Sequence, residues 1–343
     1  DQIKKINNHG IQILKKFSEL KSNEKIKNLP SNIFEKHLSQ AKLVIKSKET
    51  GQPQINIFPQ KEGRGFNKLP KKSATENDLF FDIEGLDKIL NPEEDEGNKS
   101  GLEYLFGIYN YGNKPNPFKY FWAHNSEEEK DSFYKLLDFF DTHLKKFPDT
   151  HIYHFNHYEQ TALTKLSQKY GKTDRVNSLL REGKLIDLHK VVTQGMQVSE
   201  TEYSLKNLEK FYQFKRSGDI QKANESTDNY LEWLETKDEE LLDKIKIYNE
   251  EDCRSTFHLR EWLVREIRPQ IKNVSWRIYE EPKEKIKNWE VANKPLVELI
   301  NKNLQNSKIK DIISDIIGFH KREDDIYWQD FFKLGQLSFI YNY

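Results

Sequence analysis

Seven residues, Leu79-Phe80-Phe81-Asp82-Ile83-Glu84-Gly85, constrain this chain more than any other stretch. An apolar run ends in two acids on alternate positions, followed by glycine. In a strand, alternate side chains share a face, so Asp82 and Glu84 point one way and Phe81 and Ile83 the other. Two carboxylates at the end of an apolar strand repel each other unless a cation lies between them, and the pair suits Mg²⁺ or Mn²⁺. A strand running out into a polar turn reads the same way. Whether further acids join the pair decides between the two.

The pattern around this strand predicts an α/β fold with a mixed sheet flanked by helices. Residues 103–111 and 118–123 read as strands that pair antiparallel with 79–84. Ser126, followed by three glutamates, is expected to cap a helix to about Lys146, with Phe133, Leu136, Leu137, Phe140 and Leu144 on its apolar face. Residues 151–155 form a strand that should lie parallel to the first, because a helix crosses between them. A helix over 158–170, a brief strand or turn at 185–188 and a Ser204-capped helix to Tyr212 follow. Residues 216–228 read as polar loop, 230–234 as helix, and 239–265 as one long helix.

This block, residues 74–268, is flanked by a helical module over 1–50, a linker over 51–73 rich in Gly, Pro and Lys that could wrap the next domain, and a helical connector over 269–343. In the linker Lys68, Lys71 and Lys72 are placed to approach a phosphate backbone, or are simply solvated. In the connector, 275–281 reads as extended, 292–304 and 309–320 as helices, and 324–334 is rich in aromatics.

Charge narrows the partners. Lys plus Arg equals Asp plus Glu at 55 each, so contact with nucleic acid must use a local basic face. The lone cysteine, Cys253, excludes intrachain disulfides and a thiolate zinc cluster. No apolar run approaches a membrane span and no apolar leader opens the chain, so a cytoplasmic protein without membrane contact is expected.

Two further acids qualify. Asp252 lies on the apolar face of the long helix, one turn after Tyr248. A buried aspartate there needs a partner or a metal. Glu159 sits in the first turn after a strand-to-helix junction, where helix-dipole stabilisation would also place an acid. Brought together, Asp82, Glu84, Glu159 and Asp252 could hold two metals about 3.5–4 Å apart, the arrangement for phosphodiester hydrolysis. Asp187 is a further ligand, a supporting acid or a cap. Asn156 contacts a nucleotide or caps the next helix. His151, His154 and His157 read as polar edge residues, with His157 the one able to lie near the metals. Cys253 is expected to pack away from the acids. Lys206, Lys210, Lys215 and Arg216 either bind phosphates or are solvated. Tyr203, Phe211, Tyr212 and Phe214 either stack bases or fill core.

The order FDIEG (81–85), N-x-Y-E (156–159) and YNEED (248–252) resembles the DEDD 3′–5′ exonuclease superfamily in its tyrosine subgroup, of ribonuclease H-like fold. LPKKSATENDLFFDIEG, LEYLFGI, YHFNHYEQTAL, YSLKNLEKFYQF and YNEEDCRSTFHLREWL are similar to a bacterial family of predicted RecB-like nucleases, in which such a domain is joined to a superfamily 1 helicase. GFHKREDDIYWQDFF (318–332) resembles the segment before that helicase, and the helix near Gly10 resembles the family's N-terminal helical module. The resemblance covers most of residues 5–335. It implies a metal-dependent 3′–5′ exonuclease on DNA, expected to be single-stranded, using two Mg²⁺ or Mn²⁺ ions beside a helicase domain in the same or a partner chain. Asp82, Glu84, Glu159 and Asp252 would hold the metals, and Tyr248 would align the attacking water. Glu159 departs from the wider superfamily, which has aspartate there. An inactive nucleic-acid-binding or docking module and an RNA exonuclease are the alternatives.

Overall fold

The computed structural model describes residues 2–61, 63–70, 75–86, 101–220 and 223–271, with residues 295, 296, 298, 299, 302 and 303. Residues 1–279 form one compact unit and 280–343 a second. In the first unit the order is α1 (Gln2–Asn8), α2 (Leu14–Ser18), α3 (Ser31–Thr50), β1 (Ile55–Ile57), β2 (Leu79–Leu86), β3 (Leu102–Tyr109), β4 (Phe118–Trp122), α4 (Ser126–Lys146), β5 (Ile152–His154) and α5 (Tyr158–Tyr170). It continues with α6 (Thr173–Arg181), β6 (Leu185–Asp187), α7 (Leu188–Gly195), β7 (Met196–Val198), α8 (Leu205–Glu209), α9 (Ala223–Thr236) and α10 (Glu239–Trp262).

Five strands form a mixed sheet in the order β4-β3-β2-β5-β6. The β4-β3-β2 half is antiparallel and the β2-β5-β6 half parallel, as a crossover through α4 requires. Alternation along β2 feeds two layers. Leu79, Phe81 and Ile83 pack with Phe133, Leu137 and Phe140 of α4 and Leu163 of α5. Phe80 packs with Tyr153 and with Leu259 of α10 on the other face. Asp82 and Glu84 therefore share the α10 face, and the strand is bulged between Glu84 and Gly85.

Local chemistry departs from expectation in four places. The 51–73 stretch wraps the domain through a strand and a turn that its composition did not reveal. β1 pairs antiparallel with β7, and a 3₁₀ turn at Gly65–Lys68 brings Phe66 to Gly195 of α7, with Phe66 and Leu69 wholly buried. Asn125, not Ser126, caps α4; its Oδ1 accepts from the Glu127 and Glu128 amides at 3.1 and 2.9 Å. The polar 216–228 stretch gives way to α9 at Ala223, whose Tyr230 and Trp233 are buried over β3 beside Tyr104. Helices α6 and α7, absent from the expected pattern, occupy 173–181 and 188–195.

Helix α10 crosses the sheet where β3 is narrowest. Gly107, paired with Asp82 across the β2–β3 ladder, has no side chain, and any Cβ there would overlap Asn249 Oδ1. The Cys253 thiol fills the neighbouring space, 3.5 Å from the Gly107 carbonyl. Gly107→Ala should force α10 off the sheet and cost about 1–3 kcal/mol, as overpacking does. At about 2–4 °C per kcal/mol for a chain of this size, thermal unfolding should shift down by several degrees. An unchanged melting temperature would show that the helix can slide.

In the second unit the described residues Pro295, Leu296, Glu298, Leu299, Lys302 and Asn303 are helical, within the expected 292–304 helix. Lys71, Lys72, the 275–281 segment, the 309–320 helix and the 324–334 aromatic stretch lie outside the described residues. No helix among the described residues is long and apolar enough to cross a membrane.

Candidate metal centre

Asp82 and Glu84 come from β2 and Asp252 from α10. One oxygen of each lies within 4.8 Å of the others. The backbone explains the convergence: alternation points both β2 acids at α10, and Gly107 lets the helix approach until Asp252 meets them. Asn249, one turn before Cys253, donates from Nδ2 to Asp82 Oδ2 at 2.7 Å. The Ser226 hydroxyl of α9 donates to Glu84 Oε2 at 2.9 Å.

Crowding of like charge shows in the proton affinities. Burial first, then the charges of Asp252, Glu84 and Glu159, hold Asp82 well above the usual carboxylate range, with Arg216 opposing. Glu84 is pushed up to about 8 by burial and then by Asp252. Asp252 is raised by burial, while Arg216 pulls it back. Three oxygens this close, carrying charge that the protein only partly offsets, fit a hard divalent cation. Such an ion sits about 2.0–2.6 Å from each ligand and so touches oxygens up to about 5 Å apart. The donor set is all oxygen, which selects Mg²⁺, Mn²⁺ or Ca²⁺ over softer metals.

Tyr248, one turn before Asp252, is buried beside all three acids, and its hydroxyl hydrogen-bonds to Asp252. Burial and then the charges of Asp252, Glu84 and Asp82 raise its pKa, so the phenol stays protonated. It can donate a hydrogen bond; it cannot act as a base near neutrality.

Glu159 stands apart from the trio. It is buried in the first turn of α5, 3.3 Å from Nδ1 of His154, the last residue of β5. Its charge is felt at Asp82 and Glu84, yet it is not among the three grouped oxygens. His154 is thus a buried partner rather than an edge residue. Asp187 caps α7, accepting from the Lys190 amide at 3.3 Å and from the Asn156 amide at 3.1 Å. Asn156 takes a left-handed φ of 82° and accepts from the His157 amide at 2.8 Å, shaping the turn into α5. His157 is exposed, its ring 2.8 Å from Asn156 Oδ1. Cys253 is packed as expected, but close enough to the acids that their charges add to burial in raising its thiol. Tyr203, Phe211 and Tyr212 are partly buried against the core beneath α10.

The sequence pattern did not single out Asn249 and Ser226, nor foresee the environment of Arg216. Asn249 was visible in the YNEED run, one position after Tyr248. Arg216 is only 5% exposed and bridges Glu209 Oε1 and Asp252 Oδ1, rather than lying in a solvated loop.

A mixed five-stranded sheet whose central strand aims two acids at a third on a packed helix defines an α/β domain with an acidic cluster that could hold a divalent metal. The chain belongs to the RNase H superfamily: the RNase_H_2 family model matches residues 79–264, more than half of its 343 residues. An RNase H-like fold implies a nucleic acid substrate, and the acidic cluster fits the nuclease chemistry that the superfamily suggests. No match was found among curated proteins or among solved structures.

Proposed function

We propose that this chain is a metal-dependent 3′–5′ exonuclease of the DEDD type, tyrosine subgroup, hydrolysing phosphodiester bonds of single-stranded DNA with two Mg²⁺ or Mn²⁺ ions. The observation that carries this reading is the meeting of Asp82, Glu84 and Asp252 beside a protonated Tyr248 hydroxyl. Bound divalent ions lower the pKa of water and neutralise charge that develops on the phosphate. The chain's own groups do the rest. Asp82, Glu84 and Asp252 would hold the ions, and Asn249 and Ser226 fix the carboxylates of β2 from behind. The Tyr248 hydroxyl, donating to Asp252, accepts a hydrogen bond from the attacking water and so orients it against the scissile phosphate. Glu159, held by His154, acts from one layer out, through its charge. Work beside a helicase rests on the resemblance of 318–332, which lies outside the described residues.

The test is a 5′-labelled single-stranded oligonucleotide with the purified chain and Mn²⁺. A ladder shortening from the 3′ end is expected, silent in chelator, and Tyr248→Phe should slow it about 10²-fold with little effect on metal affinity. A paired RNA oligonucleotide of the same sequence reports sugar preference. Absence of cleavage under every divalent metal would sink the enzyme reading. A second reading, a binding module without turnover, draws on the engagement of Glu159 by His154. It predicts salt-sensitive binding of single strands that Asp82→Ala leaves unchanged.

A further inference from the structure

Two cations beside the same acids have no role in holding metal. Arg216, in the segment between α8 and α9, is anchored by Glu209, whose Oε1 accepts from Nε at 2.9 Å and from Nη2 at 2.6 Å. That glutamate is itself fixed by the Ser255 hydroxyl at 2.8 Å. The same Nη2 reaches Asp252 Oδ1. Nη1 is buried with no hydrogen-bond partner among the described residues, although the side chain is 95% buried, 5% being exposed. Lys206 of α8 lies with Nζ 4.7 Å above the Tyr248 ring, and that Nζ likewise lacks a hydrogen-bond partner among the described residues. The Arg216 guanidinium is 5.6 Å from the centre of the same ring.

A buried guanidinium nitrogen without an acceptor is costly to maintain. An anion that accepts from Nη1 and from Lys206 Nζ, arriving beside Tyr248, would relieve both. Glu209 and Asp252 bond Nε and Nη2, and neither makes a hydrogen bond to Nη1. Planar guanidinium and a mobile ammonium together match the oxygens of a phosphate.

We propose that Arg216 and Lys206 form the seat of a backbone phosphate of the nucleic acid strand beside Tyr248, with Glu209 holding the guanidinium in position. The seat deepens the exonuclease reading and rests on it: it names the groups that grip the substrate where the metal ligands alone would leave it loosely held. It also gives the electrically neutral chain the local basic contact that nucleic acid binding requires.

The test measures fluorescence anisotropy of a labelled single-stranded oligonucleotide in chelator, where no metal bridges protein and phosphate and no cleavage occurs. Each of Arg216→Gln and Lys206→Gln should weaken binding roughly ten-fold near 0.1 M salt and lower the slope of log K against log salt by about 0.7, one phosphate contact on a single strand. Lys206→Arg should restore most of the loss. Lys135→Gln, on the exposed face of α4, should change neither quantity. Should Arg216→Gln fail to fold by circular dichroism, Lys206→Gln carries the test, since its side chain is only partly buried. Unchanged slope and affinity in folded Lys206→Gln, or an equal effect from Lys135→Gln, would overturn the seat. A wild type that cleaves while both variants bind normally removes only the seat. A wild type that neither binds nor cleaves single strands removes the exonuclease reading and the seat with it.

Discussion

Asp82→Asn is expected to lower metal-dependent cleavage by at least about a thousand-fold, some 4 kcal/mol of transition-state stabilisation, while leaving the fold intact. The amide keeps the shape of the carboxylate and still accepts from Asn249, so what is lost is charge at the metal seat rather than packing. The neighbouring acid gives a second, independent readout. In the metal-free protein Glu84 holds its proton up to about 8 against an ordinary value of 4.5, so the native state binds more protons than the unfolded chain through that window. Stability then falls as pH rises through it, because the slope carries the sign of unfolded minus native proton number. Glu84→Gln should therefore stabilise the chelated protein near pH 8, by up to a few kcal/mol at about 1.4 kcal/mol per unit, and by almost nothing near pH 4, below the ordinary value. Added Mn²⁺ should reverse the order, stabilising the wild type alone. If Glu84→Gln melts at the wild-type temperature at both pH values in chelator, the acids are not crowded and the metal seat is misread. If Asp82→Asn retains cleavage, the hydrolytic centre lies elsewhere.

Legibility followed the range of the signal. The β2 acids were readable because alternation over seven residues decides which face each side chain takes, and the long helix because Leu242, Ile245, Tyr248, Leu259 and Leu263 keep a helical period that only Asp252 and Thr256 interrupt. Strand β1 was hidden: Ile55-Asn56-Ile57 is three residues long in a stretch rich in Gly, Pro and Lys, and its partner Met196–Val198 is some 140 positions away. Helix α9 was read only over 230–234, where Tyr230, Trp233 and Leu234 mark its buried side; its first turns, mostly polar, looked like loop. Arg216 stood out only as one basic residue of a run, with binding to phosphate and plain solvation both open. Its environment is made by Glu209 and Asp252, acids on two other elements, and becomes visible only when α8 and α10 lie side by side. Glu159 shows the converse. A strand-to-helix junction places the acid correctly in the chain, but the sequence does not say that His154, five residues earlier, will be the group it meets.

Arg260→Met should be the most destabilising single change in the domain, about 3–5 kcal/mol and a fall in melting temperature on the order of 10 °C. Arg260 of α10 is 1% exposed and paired with the fully buried Asp78, the residue before β2. That one carboxylate also accepts from the His151 amide at the start of β5 and the Thr75 amide, both at 2.9 Å. Strand, neighbouring strand and helix are thus tied at a single point. The guanidinium lies over Phe80 at 4.9 Å and Tyr153 at 5.2 Å, contacts that methionine would partly keep. The loss is therefore of charge. Burial already raises Asp78 above its ordinary value, with Arg260 opposing, so removing Arg260 raises it further. An acid whose folded pKa is raised contributes stability at low pH that disappears as pH climbs. The gap between wild type and Arg260→Met should consequently widen from about pH 4 towards neutrality, and Asp78→Asn in the Arg260→Met background should recover part of it. The consequence reaches the metal: Asp252 lies eight residues before Arg260, just over two turns along the same helix. Loosening that anchor should also weaken Mn²⁺ binding measured by calorimetry. A pH-independent gap, or Mn²⁺ affinity untouched in a destabilised variant, would show that α10 is seated by its apolar contacts and Gly107 alone.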